Sequence, residues 1–142
     1  MRALALDVGN RRIGVAASDP TGTVARPVTV IRRHNLDADT AAVVAAVRSE
    51  GAEVVVVGLP LSLSGAEGPQ AALVRRFVAD LRPVVDVPVV LRDERYTTVE
   101  ATAVLRAQGV RPELIKDRVD AVAAALILQE YLDTLASQGP PI

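Results

Sequence analysis

The chain has no cysteine and no tryptophan, and among its 142 residues it carries only 2 Tyr, 1 Phe and 1 His. Without cysteine there is neither a disulfide framework nor a thiolate metal site, and a reducing compartment, the cytoplasm, is the expected location. With so few aromatic rings, stacking on unpaired bases is excluded as the main mode of recognition. No apolar run approaches the length that spans a bilayer, and Met1-Arg2 leads straight into a strand-like segment, so neither a membrane partner nor a leader is expected. An excess of one charge is missing too. Sixteen basic against 17 acidic residues leave a formal net charge of −1, so a nucleic-acid surface requires the basic residues to cluster.

What the chain does have is apolar material: half of its residues are hydrophobic. At this length roughly two-thirds of the unfolded surface is buried on folding, which suits one full core. A single domain over 1–136 and a tail over 137–142 are expected. Arg2–Val8 and Ile13–Ser18 read as short strands joined through Gly9-Asn10-Arg11-Arg12, a hairpin turn in which Gly and Asn tolerate positive φ. Val24–Arg32 reads as a third strand. Asp37–Glu50 has helical spacing and stops at Gly51. Glu53–Val57, with its run of four valines, suits a strand covered on both faces. Pro69–Leu81 suits a helix with Pro at its first position, and Val87–Leu91 another buried strand. Thr97 and Glu100 have capping-box spacing for a helix running to about Gln108 and ended by Gly109. Arg118–Leu135 is apolar nearly all round and reads as a buried helix. Three leading strands followed by alternating helices and strands predict an α/β fold, a mixed sheet with helices on both faces.

Most of the acids fall where a solvated surface would put them, but three placements do not. Asp7 is set into the end of an apolar strand, the pair Asp93-Glu94 follows the strand Val87–Leu91, and Asp120 falls in the first turn of the last helix. At about 100° per residue Asp120 lines up with Ile127, so it points toward a bulky apolar side. Acids from three distant segments, each at the end of a buried element, form the donor set of a hard divalent cation such as Mg²⁺ or Mn²⁺. Ordinary alternatives stand beside this. Asp117 and Asp120 suit a helix N-terminus as cap and dipole partner, Asp93-Glu94 suits an exposed loop, and Asp7 before a glycine suits a turn cap.

The same residues resemble a known family. Asp7-Val-Gly-Asn-Arg-Arg-Ile-Gly-Val-Ala-Ala-Ser-Asp19, Val57-Gly-Leu-Pro-Leu61 with Gly65, Asp93-Glu-Arg-Tyr-Thr-Thr98, and Asp120-Ala-Val-Ala-Ala124 leading into Ile127-Leu-Gln-Glu-Tyr-Leu132 are similar, in order, to the motifs of the YqgF/RuvX family. Members of that family have an RNase H-like fold related to the Holliday-junction resolvase RuvC. They are described as resolvases or as nucleases maturing the precursor of small-subunit ribosomal RNA. The resemblance implies a metal-dependent nuclease using Mg²⁺ or Mn²⁺, in which Asp7, Glu94 and Asp120 are the catalytic and metal-binding acids. Strand parity lets only one of Asp93 and Glu94 face the site, and the resemblance selects Glu94. Asp117 is less typical of the family, although its spacing from Asp120 resembles the paired helix acids of RuvC-like resolvases.

Arg11, Arg12 and Arg95 edge these acids and are candidates for holding substrate phosphates. The segment 58–65 follows a strand and precedes a helix, where its Ser hydroxyls and N–H groups can meet a phosphate; it lacks the ending of a Walker loop. Thr97 and Thr98 suit a helix cap, and His34 an exposed loop. Asp-x-Gly strands followed by a hairpin also open actin-like and sugar-kinase folds, but those need two such domains to close over ATP. The partner the resemblance implies is nucleic acid, structured RNA or branched DNA, acted on by a monomer or homodimer. Junction resolution calls for two sites related by a two-fold axis, whereas trimming a precursor RNA needs one.

Overall fold

The computed structural model describes residues 1–94 and 97–138. Five strands, β1 (Ala3–Val8), β2 (Arg12–Ser18), β3 (Ala25–Arg32), β4 (Val54–Pro60) and β5 (Val89–Glu94), form one sheet in the order β3-β2-β1-β4-β5. β1, β2 and β3 pair antiparallel, whereas β1, β4 and β5 pair parallel. The expected RNase H-like mixed sheet is present. Helix α1 (Leu36–Glu50) connects β3 to β4, α2 (Pro69–Leu81) connects β4 to β5, and α3 (Thr97–Ala107) and α4 (Pro112–Gln138) follow.

Strand parity divides the core. Leu4, Leu6, Ile13, Val15, Val55 and Val57 face one side and pack with Val43 of α1 and Val74 and Phe77 of α2. Ala3, Ala5, Ala16, Val54 and Val56 face the other side, against Ala124, Ile127 and Leu128 of α4. The small residues of β1 and β2 on this second face let α4 lie close to the sheet. α3 packs on α4, which explains why α4 is apolar nearly all round. The four valines of β4 are buried on both faces, as their continuous run implies.

Helix ends follow local chemistry. Asn35 caps α1 by accepting from the Ala38 N–H at 2.9 Å, and Gly51 ends it at φ 65°, in the left-handed region. Gly109 has φ 78° after α3.

Three expectations need correcting. The β1–β2 turn closes through the Gly9 N–H donating to the Arg12 carbonyl at 2.9 Å, but among the described residues the positive-φ glycines are 22, 51, 65 and 109, so Gly9 takes no left-handed conformation. β5 runs through Asp93 and Glu94 instead of ending before them, because both stay in register with Leu59 and Pro60 of the longer β4. α4 begins at Pro112, so Asp117 and Asp120 lie inside the helix and not at its N-terminus; the cap-and-dipole reading of that pair fails. At its other end α4 continues to Gln138, into the expected tail, and residues 139–142 lie outside the described residues.

Candidate active site

Asp7 occupies an odd position of β1, on the face shared with Ala3 and Ala5, and so points toward α4. Its register partner on β2 is Gly14. A Cβ at Gly14 would stand 1.9 Å from the carbonyl oxygen of Asp120, so the α4 backbone sits directly over that strand. On the other flank the β1–β4 ladder pairs Leu6 with Val57, and Gly58 is the next residue along. A Cβ there would meet the Ile127 Cδ1 at 2.6 Å and the Glu94 Cγ at 2.9 Å. Asp7 is therefore flanked by two glycines whose missing side chains admit Asp120 from above one strand and Glu94 from beside the other.

Parity along β5 decides between the adjacent acids. Arg92 lies over the Tyr131 ring of α4, 5.7 Å from its centroid, and Glu94, two residues on, shares that face. Its Oε1 is buried from solvent. Asp93 is exposed on the opposite side, where its charge acts on Arg75 of α2. Glu94, and not Asp93, is the acid on the Asp7 face.

The electrostatics follow from this placement. Burial pushes the Asp7 carboxyl up to about 7, and the Asp120 carboxylate pushes it in the same direction. Asp120 is answered by Arg12, whose Nε donates to its Oδ2 at 2.9 Å. Among the described residues no three acidic or imidazole side chains stand close enough to ligate a single ion. Asp7 and Asp120 are brought together, Glu94 is brought onto their face, and Arg12 supplies the counter-charge beside Asp120.

The remaining candidates are placed as follows. Arg11 is exposed in the β1–β2 turn. Arg95, and the side chains of Thr97, Thr98 and Asp117, lie outside the described residues. In the 58–65 segment Gly58 to Pro60 belong to β4. Ser62 and Ser64 hydrogen-bond each other at 2.8 Å, and the Ser62 hydroxyl also accepts from the Ala66 N–H. These hydroxyls serve the turn itself.

Two features escaped the sequence reading. Gly14 and Gly58 interrupt apolar strands, a pattern that signals close approach of another backbone or side chain. Arg33 and the buried Asp39 form a part-buried ion pair, with the Arg33 Nε donating to Asp39 Oδ2 at 3.0 Å, and its Nη1 to the Gly9 carbonyl at 3.0 Å. No single-residue signal marks that pair, which spans a strand end and a helix start.

Comparison with known proteins adds to this geometry. A family model described as "RuvX: Holliday junction resolvase" matches residues 1–134. A protein of Roseiflexus sp. (strain RS-1) named "Putative pre-16S rRNA nuclease" is 46% identical over 133 residues, covering 94% of each chain. One of the same name from Moorella thermoacetica is 48% identical over 139 residues, covering 98% of this chain and 99% of its own. Among solved structures, T. thermophilus RuvC in complex with a Holliday junction substrate superposes with a TM-score of 0.62 at 16% identity, covering 100% of this chain and 99% of that one. The Fowlpox virus resolvase in its complex with Holliday junction DNA gives a TM-score of 0.54 at 14% identity, covering 95% and 99%. At such identities these two likenesses show the fold.

Proposed function

The chain belongs to the RuvX family, and from that premise we propose that it is a divalent-metal-dependent nuclease that hydrolyses phosphodiester bonds of precursor 16S ribosomal RNA. The observation that carries this reading is the desolvated Asp7 carboxyl between Gly14 and Gly58, with Asp120 and Glu94 admitted on either side. Gathering acids into a partly dry site raises their proton affinity unless positive charge is supplied. The donor set is all carboxylate oxygen, which fits Mg²⁺ or Mn²⁺. Asp7, Glu94 and Asp120 would hold the ion. When bound, such an ion activates a water and stabilises the leaving oxygen of a phosphodiester.

The chain's own residues do the rest. Asp7 is set on the central strand of a rigid sheet, which fixes its carboxylate. Arg12 neutralises Asp120 while the acid has no other counter-charge; released from it, the guanidinium is placed to pair with a substrate phosphate. Arg11 extends from the same turn, and Arg95 is the corresponding cation next to Glu94 in sequence. The protein is expected to work in the cytoplasm.

A second reading, cleavage of four-way DNA junctions, is favoured by the description of the family model and requires a homodimer with paired sites. End-labelled precursor 16S RNA and four-way junction DNA should be incubated with Mg²⁺, Mn²⁺ or EDTA. Discrete RNA cleavage with either metal and none in EDTA is expected. Asp7→Asn and Glu94→Gln should lose at least a hundredfold in rate, and Asp93→Asn less than tenfold. Undiminished cleavage in EDTA sinks the metal site. Paired symmetric nicks in the junction at concentrations that leave the RNA intact would establish the second reading.

A further inference from the structure

Beside the acid site the β1–β2 turn and the β3–α1 junction enclose a cleft of about 870 Å³. This is toward the upper end of ordinary ligand pockets, roughly 300–1,000 Å³. Its lining includes Arg11, Arg12, Arg32, Arg33 and His34, with Asp39 as the only carboxylate among the described residues there. That carboxylate is 2% exposed and already committed: it accepts from the Arg33 side chain and from the His34 N–H at 2.9 Å. Arg33 is held in turn by the Gly9 carbonyl and by the Phe77 ring, 5.1 Å away. Arg33 and Asp39 are therefore the fixed floor of the cleft, and Arg11, Arg32 and His34 are its exposed cations and polar groups.

The register adds an independent observation. Arg12 and Arg32 are direct cross-strand partners on β2 and β3, so their side chains leave the sheet on one face. Like charges directly opposite each other are destabilising. Asp120 relieves Arg12, but among the described residues neither Arg32 nor Arg11 has an ion pair. Arg32, left facing Arg12 at the mouth of a basic cleft, is answered by an anion entering there. Among the described residues lining the cleft four are arginines and none is Phe, Tyr or Trp, so what enters is held chiefly through its charge.

We propose that this cleft is a second phosphate-binding site, taking the backbone of the substrate strand next to the cut, with Arg32 and His34 as binding residues alongside Arg11. Arg12 lines the cleft and touches Asp120, so a strand held there passes directly to the acids. Its arginines meet the sugar-phosphate backbone whatever the base, so the charge-based part of this binding carries no sequence information. The inference rests on the nuclease reading for the identity of its ligand as nucleic acid.

Binding alone tests it. A fluorescein-labelled single-stranded RNA, in EDTA so that nothing is cut, should be titrated at several salt concentrations with wild type, Arg32→Ala, Arg32→Lys and the Arg32→Ala/His34→Ala pair. Arg32→Ala should weaken binding at least threefold and lower the log–log salt slope by about 0.7, the value for one single-strand phosphate contact. Arg32→Lys should keep the slope, and the double variant should weaken binding at least tenfold. Arg32 and His34 are exposed, so melting temperatures should stay within a degree or two of wild type. Unchanged affinity and slope in the double variant overturn the proposal. Wild type that binds RNA through Arg32 yet cuts nothing with Mg²⁺ or Mn²⁺ present would keep the cleft and overturn the nuclease reading instead.

Discussion

At the scale of single residues, the molecule turns on how one carboxyl is solvated. Asp7 holds its proton up to about pH 7 in the folded chain, against 3.8 for an ordinary aspartate. The folded state therefore binds more protons than the unfolded state between those limits, and stability falls as pH rises from about 4 to about 7. Below that window the group is neutral in both states, and above it the full penalty remains. At about 1.4 kcal/mol per unit the loss is roughly 4 kcal/mol. In EDTA, Asp7→Asn should be as stable as wild type at pH 4 and several kcal/mol more stable at pH 8, by urea denaturation. A variant that unfolds at both pH values would make Asp7 a structural cap. Asp19 is the contrast: half-buried in the β2–β3 loop, it accepts from Thr21, Thr23 and Val24, which hold its carboxyl well below the usual range. Two aspartates on either side of β2 in sequence thus serve opposite ends, one as a fully bonded loop anchor and one as a desolvated acid.

At the scale of elements, the seat of α4 on the sheet decides which acids meet. Gly14 faces the backbone of Asp120, whereas Gly58 faces the ends of the Ile127 and Glu94 side chains. Backbone cannot turn aside, but a side chain can. Gly14→Ala should therefore cost at least about 3 kcal/mol, since overpacking of a rigid contact exceeds the ordinary 1–3 kcal/mol range. Gly58→Ala should cost about 1–2 kcal/mol by the same measurement, chemical denaturation. The reverse order would mean that α4 rides further from β2 than its contacts indicate. β5 makes a similar point through register: because Glu94 stays paired with Pro60, a slip of one residue would exchange it for Asp93 on the site face.

At the scale of the whole molecule, the sheet joins two charge environments. Acids collect where β1, β5 and α4 meet, and arginines where the β1–β2 turn meets the start of α1, with the Arg12–Asp120 pair between them. A near-zero net charge conceals this separation. Such an arrangement links cation binding to global stability. An ion at a hundred times its Kd should add about 2.7 kcal/mol to wild type. A thermal melt with Mn²⁺ against EDTA should show a rise of several degrees in wild type at pH 7.5, and little or none in Asp7→Asn. Equal shifts in both proteins would place the ion elsewhere.

Much of this was legible in the chain itself, because it follows from local patterns. The run of valines, the Pro at the start of α2 and the glycines after α1 and α3 bound their elements through backbone preference and period alone. The odd position of Asp7 in an apolar strand already implied a carboxyl in need of compensation. Tertiary structure decided the rest. The ends of β5 and α4 depended on partners far away in sequence: β4, which carries β5 on through Glu94, and the sheet and α3, which bury α4. The choice of Glu94 over Asp93, the approach of Asp120 over Gly14, and the Arg12–Asp120 and Arg33–Asp39 pairs all rest on register and helix seating. Parity along a strand is visible in sequence only once its paired length is known, and that length is fixed by the neighbouring strand.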